Sequence, residues 1–426
     1  MDRRSFLTLS TSVAGVSVLA NMGIANVAFA AAKPKIGNFG FDMSGRDMSV
    51  KPGDDFFKHG GGKWMETNQI PNDRTRWGVF DQLAAKAEED VRNIIDDVAK
   101  QKGPKGSVEQ KIGDYYSSYL DVDAINAKGI APLQADLDVI AACQTHEDLA
   151  KLIGRPDIAV ASPIGWGIGI DDGNPNRYIL TISQSGLGLP EREYYLKDDA
   201  RMKELREKYP QYIQKIFVLV GHTFDDAKDK ADKIMALETE IAKIHWPIED
   251  RRDSTKMYNL KKRSELETIA PDFPWADGLG AGKVNDVKEL VIGELSAIAP
   301  LAKLYRATPV STLKDYMTYH CISGQAGILP KDFDDARFDF FGKTLNGAKE
   351  QRARWKRATQ AVNGALGEAV GQIYVKRHFS ANAKAQMLVL VENLRKAFLM
   401  RINNLVWMSA DTKAAAKKKL ATFNPK

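Results

Sequence analysis

The sequence predicts a mainly α-helical fold that includes one small β-hairpin region. Apolar residues recur three and four positions apart in several segments between residues 91 and 405, as amphipathic helices require. One region, residues 164–183, instead alternates apolar with small or polar residues around a cluster of turn formers, which is typical of a hairpin. The expected fold is therefore a large helical body with a minor sheet.

The composition indicates a folded protein with a substantial core. Its 426 residues are 44% hydrophobic and 27% charged, which excludes disorder of the whole chain and suits either several domains or one large domain. The formal net charge of +6 is small for this length and is spread along the chain, so no nucleic-acid partner is predicted. The two cysteines, Cys143 and Cys321, are compatible with one disulfide or with two buried thiols.

Residues 1–30 predict a twin-arginine-like signal peptide. Arg3 and Arg4 precede a weakly apolar stretch, and Ala28-Phe29-Ala30 supplies the small residues that a signal peptidase requires before its cleavage point. An ordinary signal peptide that contains two arginines is the alternative. Both imply export, in a bacterium to the periplasm, with residues 31–50 as an N-terminal linker. No later segment is long and apolar enough to predict a stable membrane span.

Four amphipathic helices are predicted from apolar stripes. Their apolar positions follow the helical period, so each helix is expected to turn one face toward a core. The stripes are Val91, Ile94, Ile95 and Val98; Ile112, Tyr115, Tyr116, Tyr119 and Leu120; Ile234, Leu237, Ile241 and Ile244; and Met387, Leu390, Val391, Leu394, Phe398, Ile402 and Leu405. The fourth stripe is the longest and is also expected to be buried.

Local signals define three further elements. Residues 164–170 and 178–183 are the two predicted strands of the hairpin, and residues 171–176 between them are dense in Asp, Asn, Gly and Pro. Pro and Gly punctuation predicts a loop at residues 271–282. Ser409 is placed to cap a final helix of strong helix formers.

No zinc site is predicted within this chain. A helical H-E-x-x-H motif places two imidazoles on one side of the metal, with the glutamate as general base. His146-Glu147 begins such a motif, but the second histidine is replaced by Ala150. Because Thr145 is placed to cap a helix, His146 and Glu147 are predicted to be surface residues of its first turn.

The remaining candidates for acid or metal chemistry also favour structural roles. His245 and Glu249 have i, i+4 spacing, but Pro247 disfavours a continuous helix between them. Adjacent aspartates point in different directions and are predicted to serve in turns and helix caps rather than as acid/base pairs. These pairs are Asp54-Asp55, Asp171-Asp172, Asp198-Asp199 and Asp225-Asp226.

Four stretches, in order along the chain, resemble the neprilysin and endothelin-converting enzyme family of zinc metallopeptidases. They are Pro52-Gly53-Asp54-Asp55-Phe56-Phe57 with Arg76-Trp77-Gly78-Val79-Phe80-Asp81; Gly186-Leu187-Gly188-Leu189-Pro190-Glu191-Arg192-Glu193-Tyr194-Tyr195-Leu196; Arg354-Trp355-Lys356-Arg357 with Val362-Asn363-Gly364; and Leu405-Val406-Trp407-Met408. The resemblance extends from about residue 41 to residue 426.

The resemblance implies a fold and a function. Residues 51–426 would form the substrate-enclosing, mostly helical lobe that covers a catalytic lobe in a two-lobed zincin metallopeptidase. In that family the zinc ligands and the catalytic glutamate lie downstream of everything seen here. The implied function is an exported zinc metalloendopeptidase that hydrolyses peptide bonds in oligopeptides, with zinc as cofactor of the full-length protein. By this resemblance, the chain is expected to lack the C-terminal catalytic zinc domain, to bind no zinc and to be inactive alone.

The resemblance also implies two substrate-binding residues. Arg76 matches an arginine that holds the primed side of the substrate near the C-terminal carboxylate of short peptides, and a guanidinium fork suits that carboxylate. Phe80 matches an aromatic residue of the same subsite. The neprilysin branch has a second arginine eight residues after the first, where this chain has Ala84, which favours endopeptidase over dipeptide-releasing activity. The alternative role for Arg76 is a structural ion pair at a contact between lobes.

The implied partners are peptide substrates and the missing C-terminal catalytic domain, joined in cis or, in a split enzyme, supplied in trans. The alternative hypothesis is a stand-alone, non-catalytic peptide-binding or structural helical protein. That hypothesis would leave the inner apolar surface of the lobe exposed to water, which favours aggregation or association.

Overall fold

The computed structural model describes residues 43–425. The predicted signal peptide, residues 1–30, and the first part of the predicted linker lie outside the described residues. The chain divides into two compact units, of which the first ends at Gln69 and the second begins at Ile70.

The first unit contains helix α1 (Phe56–Thr67). The Asp55 carboxylate accepts a hydrogen bond from the Lys58 backbone amide at 2.9 Å, so one aspartate of the first pair serves as a helix cap, as predicted. The buried His59 ring lies 2.7 Å from the Val50 carbonyl oxygen and 2.6 Å from the Arg46 guanidinium. These contacts fold the residues before α1 back onto the helix.

The second unit is dominated by helices. They are α2 (Val79–Gln101), α3 (Val108–Leu120), α4 (Val122–Lys128), α5 (Gln134–Ala142), α6 (His146–Gly154), α7 (Glu193–Leu196), α8 (Ala200–Leu219), α9 (Phe224–Ile244), α10 (Ile248–Arg251), α11 (Ser254–Met257), α12 (Leu266–Ile269), α13 (Trp275–Ala281), α14 (Leu295–Ala307), α15 (Val310–Gln325), α16 (Lys331–Arg337), α17 (Arg354–His378), α18 (Ala381–Asn404) and α19 (Ala410–Ala421). A π-helical segment, Phe338–Leu345, continues from α16. The predicted mainly helical fold is confirmed.

A four-stranded sheet in the second unit contains β1 (Ile164–Asp171), β2 (Asn174–Gln184), β3 (Asn259–Lys262) and β4 (Glu289–Ile292), in the order β1-β2-β4-β3. Strands β1 and β2 form the predicted hairpin, with Ile164 opposite Gln184 and Ile170 opposite Tyr178. Strand β4 runs parallel to β2 and antiparallel to β3. The turn is shorter than predicted, because residues 174–176 already belong to β2.

The buried carboxylate of Asp171 stabilises this turn. It accepts hydrogen bonds from the Gly173 backbone amide at 2.8 Å, the Arg177 Nε atom at 2.7 Å and the Tyr258 hydroxyl at 2.8 Å. Burial opposes its ionisation, but the hydrogen bonds from Arg177, Tyr258 and Gly173 hold the pKa of Asp171 below its ordinary value. The prediction that this aspartate serves in a turn is confirmed.

Two apolar cores explain most of the helical stripes. The larger core lies among α8, α9, α14, α15 and the sheet, and includes Tyr209, Phe217 and Tyr305. The smaller core joins α2, α3 and α17 through Ile95, Ile112 and Val362. The predicted helices at residues 91–98, 112–120 and 234–244 are confirmed, with their apolar stripes largely facing these cores.

The predicted loop at residues 271–282 is wrong, because residues 275–281 form α13. Trp275 is buried, and its Nε1 atom donates to the Ala270 carbonyl oxygen at 2.8 Å. A Cβ atom placed on Gly154 of α6 would lie 1.9 Å from the Gly278 carbonyl oxygen. Glycine in this region thus permits two helices to approach closely, a role that local sequence does not distinguish from a turn.

The prediction for the longest stripe is half right. Residues 381–404 form α18, but none of its residues is buried. The stripe residues Met387, Leu390, Leu394 and Phe398 are exposed by 50%, 49%, 52% and 60%. Helix α18 packs against α19, whose predicted cap is confirmed because the Ser409 hydroxyl accepts from the Thr412 amide.

Both cysteines are buried free thiols, which answers the question that the sequence left open. Burial raises the pKa of Cys321 to about 11 and also raises that of Cys143, so both thiols stay protonated and poorly nucleophilic at neutral pH.

Candidate functional site

The two substrate-binding residues implied by the sequence lie at the start of α2, with their side chains in solvent. The Arg76 side chain is 87% exposed and Phe80 is 85% exposed. The Arg76 Nε atom lies 3.6 Å from an Asp81 carboxylate oxygen, a long, solvated ion pair that contributes little to stability. Within the described chain, therefore, the guanidinium and the ring are both accessible to a ligand.

The segment that precedes α2 is attached to the chain just before α17. The Asn72 carbonyl oxygen accepts hydrogen bonds from the Lys349 and Glu350 backbone amides at 3.1 and 3.3 Å. The largely buried Asp73 carboxylate lies 2.6 Å from Lys356 Nζ. These contacts fix the backbone four residues before Arg76.

Glu88 of α2 forms a second attachment. Its carboxylate receives both hydrogen bonds from one terminal nitrogen of Arg352, at 2.5 and 2.7 Å. Arg74 lies 3.7 Å from the same carboxylate and 5.9 Å above the Trp77 ring. Residues 72–77 are thereby held between α2 and residues 349–356. These contacts fix the backbone position of Arg76, whose side chain remains in solvent.

A third ion-pair centre, Asp334 of α16, fixes the N-terminal turn of α17. This buried carboxylate accepts from Arg357 at 2.6 and 2.8 Å and from Gln351 at 2.9 Å, and Arg354 lies 3.4 Å away. Arg354 also donates to the Tyr119 carbonyl oxygen. The stretch Arg354-Trp355-Lys356-Arg357 therefore ties α3, α16, α17 and the segment before Arg76 together.

The sequence does not identify these attachments. Four basic side chains within residues 352–357 indicate a cluster of acidic partners but not which residues supply it. The partners, Asp73, Glu88 and Asp334, are far away in sequence, so no local pattern identifies them.

Among residues 43–425, no group of three or more His, Cys, Asp or Glu side chains could hold a metal ion. The side chains present do not fit the zinc site of a metallopeptidase. His146 is half-buried rather than on the surface as predicted, with Nε2 2.9 Å from the Thr308 carbonyl oxygen. Helix α9 ends at Ile244, before Pro247, as predicted.

A broad apolar surface lies on α18 and the connection to α19. Val406 and Trp407 in that connection are 98% and 74% exposed. The exposed large apolar residues on α18 itself are Met387, Leu388, Val389, Leu390, Leu394, Phe398, Leu399 and Met400. They are spread around more than one face of α18, so the described chain leaves this helix uncovered on several sides. Such a contiguous surface is typical of an interface.

Comparison with known proteins agrees with this architecture. The human protein named Endothelin-converting enzyme-like 1 is 28% identical over 396 residues, which cover 88% of this chain and 50% of that protein. Neprilysin-3 of Drosophila melanogaster is 27% identical over 395 residues, with the same coverage. The chain thus spans about half the length of the curated relatives that it matches.

Solved structures share the fold. The zinc metalloprotease Zmp1 of Mycobacterium tuberculosis, in complex with an inhibitor, superposes with a TM-score of 0.82 at 34% identity, over 89% of this chain and 58% of that one. PepO from Lactobacillus rhamnosis has a TM-score of 0.73 at 19% identity, over 88% and 59% of the two chains, which shows the fold alone. Residues 52–426 match the N-terminal domain of Peptidase family M13, and the chain therefore belongs to that peptidase family.

Proposed function

We propose that this chain is the substrate-enclosing lobe of an exported zinc metalloendopeptidase that hydrolyses peptide bonds in oligopeptides. The observation that supports this most directly is family membership over residues 52–426, combined with coverage of only half the length of the curated relatives. Zinc is proposed for the complete peptidase and not for this chain, because the described side chains do not fit a zinc site.

Export to the periplasm is proposed from residues 1–30. No described helix is apolar and long enough to cross a membrane.

The proposed partner of α18 is the remainder of the peptidase, joined in cis or supplied in trans. Burial of its exposed Leu, Met, Phe and Val side chains would gain about 25 cal/mol for each Å² of apolar area removed from water. A stand-alone peptide-binding protein would leave this area in water. The uncovered helix therefore favours the peptidase lobe over the stand-alone alternative.

The test of the proposed function is metal content and hydrolysis. The purified chain is expected to contain far less than one zinc ion per molecule by elemental analysis, and to leave a fluorogenic oligopeptide intact. The matched control is the native protein captured from its host, which is expected to contain zinc and to lose hydrolysis after chelation. Stoichiometric zinc in the purified chain, with hydrolysis that a chelator abolishes, would contradict the proposal.

The apolar surface predicts that the chain self-associates when it is purified alone. The double substitution Leu394→Lys and Phe398→Asp is expected to weaken this association about tenfold, because it places two charges on the surface of α18. Light scattering after size exclusion, over a range of concentrations, measures the effect. Phe224→Asp is the control, since Phe224 is 68% exposed but begins α9. A monodisperse wild-type monomer at all concentrations would instead favour the stand-alone hypothesis.

Arg76 is proposed to bind the C-terminal carboxylate of short peptides. In the complete peptidase, Arg76→Met is expected to raise KM about tenfold or more for a peptide whose free carboxylate lies close to the cleaved bond, since charge-assisted hydrogen bonds are lost. The kcat value should change little, because the bond is made in the ground state as well. Steady-state kinetics on the peptide and its C-terminal amide measure the difference.

The amide controls for the substrate charge, and Asp81→Asn controls for the weak ion pair of Arg76. The amide should lose little affinity on Arg76→Met, and Asp81→Asn should change KM less than about twofold. Equal losses for the acid and the amide would show that Arg76 has the structural role instead.

A further inference from the structure

Strand β1 forms one edge of the four-stranded sheet. Among the described strands it has a neighbour on one side only, because the sheet order is β1-β2-β4-β3. Residues 167–170 of β1 are exposed, and the side chains of Ile168 and Ile170 are exposed by 61% and 62%. An edge strand of this kind presents backbone N–H and C=O groups with which another chain can pair.

The hydrogen-bond pattern shows which backbone groups of β1 face outward. The Ser185 N–H donates to the Pro163 carbonyl oxygen at 2.9 Å, in line with the register of β1 and β2. Because hydrogen-bonded and non-hydrogen-bonded pairs alternate along an antiparallel ladder, the glycines of β1 bond to β2, whereas the N–H and C=O groups of Ile168 and Ile170 point away from it. No described residue forms a hydrogen bond with these outward groups. They are therefore available to a fifth strand.

The opposite edge of the same sheet is protected against such pairing, and β1 is not. Strand β3 has four residues and ends in Lys261 and Lys262, and short length and lysine are common devices that prevent pairing at an edge. Strand β1 has eight residues, and residues 164–170 contain neither a charged side chain nor a proline. This difference favours β1 as an edge that accepts a strand.

The two faces of β1 specify the side chains of the incoming strand. Successive side chains alternate between faces, so Trp166, Ile168 and Ile170 share one face and the glycines share the other. A Cβ atom placed on Gly167 or Gly169 would have no atom within 4 Å, so the glycine face is open. Aromatic side chains of a neighbouring strand can cover edge glycines. The expected partner is uncharged, with aromatic residues opposite the glycines and β-branched residues opposite the isoleucines.

A second copy of β1 meets this requirement poorly. Two-fold antiparallel pairing of a strand with itself places residues of the same face opposite each other, so glycine would lie opposite glycine. Such pairs contribute no side-chain packing, and the glycine face would stay open. A peptide with large side chains at alternate positions covers it. The choice of a peptide rests on the proposed function, whose substrates are oligopeptides.

We propose that β1 binds an extended, uncharged peptide segment as a fifth strand, with the aromatic side chains of the peptide on the glycine face. The peptide runs antiparallel to β1, since antiparallel pairing is the more stable arrangement for each residue. Main-chain hydrogen bonds then provide the affinity and the alternate side chains provide the specificity. This site shares no residue with the segment around Arg76.

The first test is a titration of a fluorescein-labelled, capped heptapeptide, in which tyrosine and valine alternate, with the purified chain. Fluorescence polarisation is expected to show a Kd of about 100 μM or tighter. The valines lie opposite the isoleucines and donate to β1, so methylation of their backbone nitrogens is expected to weaken binding about tenfold or more. The matched control is methylation of the tyrosine nitrogens, which point away from β1 and should change Kd less than about threefold.

The second test changes the protein. Ile168→Pro removes an outward N–H and keeps the hydrogen bonds between β1 and β2, since proline is tolerated where the N–H of an edge strand faces solvent. It is expected to weaken peptide binding about tenfold or more. The control Ile168→Val keeps both the N–H and a β-branched side chain and should leave Kd within about twofold. Circular dichroism verifies the fold of each variant, and the methylated peptides test the same hydrogen bonds without a mutation.

Four results would overturn the proposal. The first is absence of binding at about 1 mM, which is a weak affinity. The second is equal binding of the valine-methylated and tyrosine-methylated peptides, which would place the peptide on an apolar surface such as that of α18. The third is loss of binding in the complete peptidase, which would mean that another part of that protein covers β1. The fourth is self-association that Ile168→Pro abolishes, which would assign the edge to a second copy. All four are measured as binding, so they are separate from the zinc content and hydrolysis that test the proposed function.

Discussion

Replacing Glu238 with leucine is expected to lower the free energy of unfolding by about 3–5 kcal/mol, which is the cost of removing one member of a buried charged network. Glu238 lies on α9 and is fully buried. Its Oε2 atom accepts hydrogen bonds from the Tyr195 hydroxyl at 2.5 Å and from the Gly188 amide at 3.1 Å. Its Oε1 atom lies 2.7 Å from His320 Nε2 and 3.2 Å from the Tyr209 hydroxyl.

This carboxylate has about as many contacts as it can accept, since an ionised carboxylate offers about four lone-pair sites. Burial, followed by the nearby Glu238 charge, raises the pKa of Tyr195 and of Tyr209 well above the ordinary value, so both phenols remain neutral donors. Leucine would leave the phenols, the imidazole and a backbone N–H without their acceptor. The network joins α7, α8, α9 and α15, so its loss is expected to destabilise the larger core as a whole.

Denaturant titration followed by circular dichroism measures this change. Glu240→Leu is the matched control, because Glu240 lies one half-turn along the same helix, has 52% of its side chain exposed and forms an ion pair with Lys243. The control is expected to change the free energy of unfolding by less than about 1 kcal/mol. If the two variants proved equally stable, the hydrogen bonds of Glu238 would contribute less to the free energy of unfolding than their geometry implies.

Asp334→Ala is expected to cost about 3–4 kcal/mol of unfolding free energy. The substitution removes the shared acceptor of Arg357, Arg354 and Gln351 and leaves two guanidinium groups in a largely buried environment. Because Arg354 begins α17, the N-terminal part of that helix is expected to exchange its amide hydrogens faster than the rest of the chain.

Hydrogen exchange with mass spectrometry, together with denaturant titration, tests both parts of this prediction. Asp335→Ala is the matched control at the adjacent position, where the carboxylate is 46% exposed and pairs with Lys331 one turn earlier. It should cost less than about 1 kcal/mol and leave exchange in α17 unchanged. An Asp334→Ala variant as stable as Asp335→Ala would mean that water solvates the arginines adequately.

These ion pairs also affect the segment that contains Arg76, the proposed peptide-binding residue. Asp334 fixes the start of α17, and Lys356 on that helix lies 2.6 Å from Asp73, in the segment that precedes Arg76. Loss of the Asp334 centre is therefore expected to loosen the Arg76 segment as well. In the proposed complete peptidase, Asp334→Ala is expected to impair hydrolysis of acid and amide substrates alike, whereas Arg76→Met is expected to impair mainly that of the acid.

The two proposed substrate-binding residues depend on a resemblance. Arg76 and Phe80 are assigned by resemblance to a family, and nothing in their local pattern distinguishes them from other surface residues. The attachments that position Arg76 could not be predicted, since Asp73 and Lys356 are 283 residues apart.

The sequence by itself determined the long amphipathic helices, the hairpin and several caps of this protein, but not α13, which was predicted to be a loop. Helical hydrogen bonds, the Thr145 capping box and the turn at Asp171 join residues that are close along the chain, so nearby side chains specify them. Only the tertiary structure decided which apolar surfaces are covered and which charges are paired. The stripe on α18 has the same period as the stripe on α9, yet α9 is buried and α18 is not. The difference depends on what packs against each helix, and packing is a property of residues that are distant in sequence.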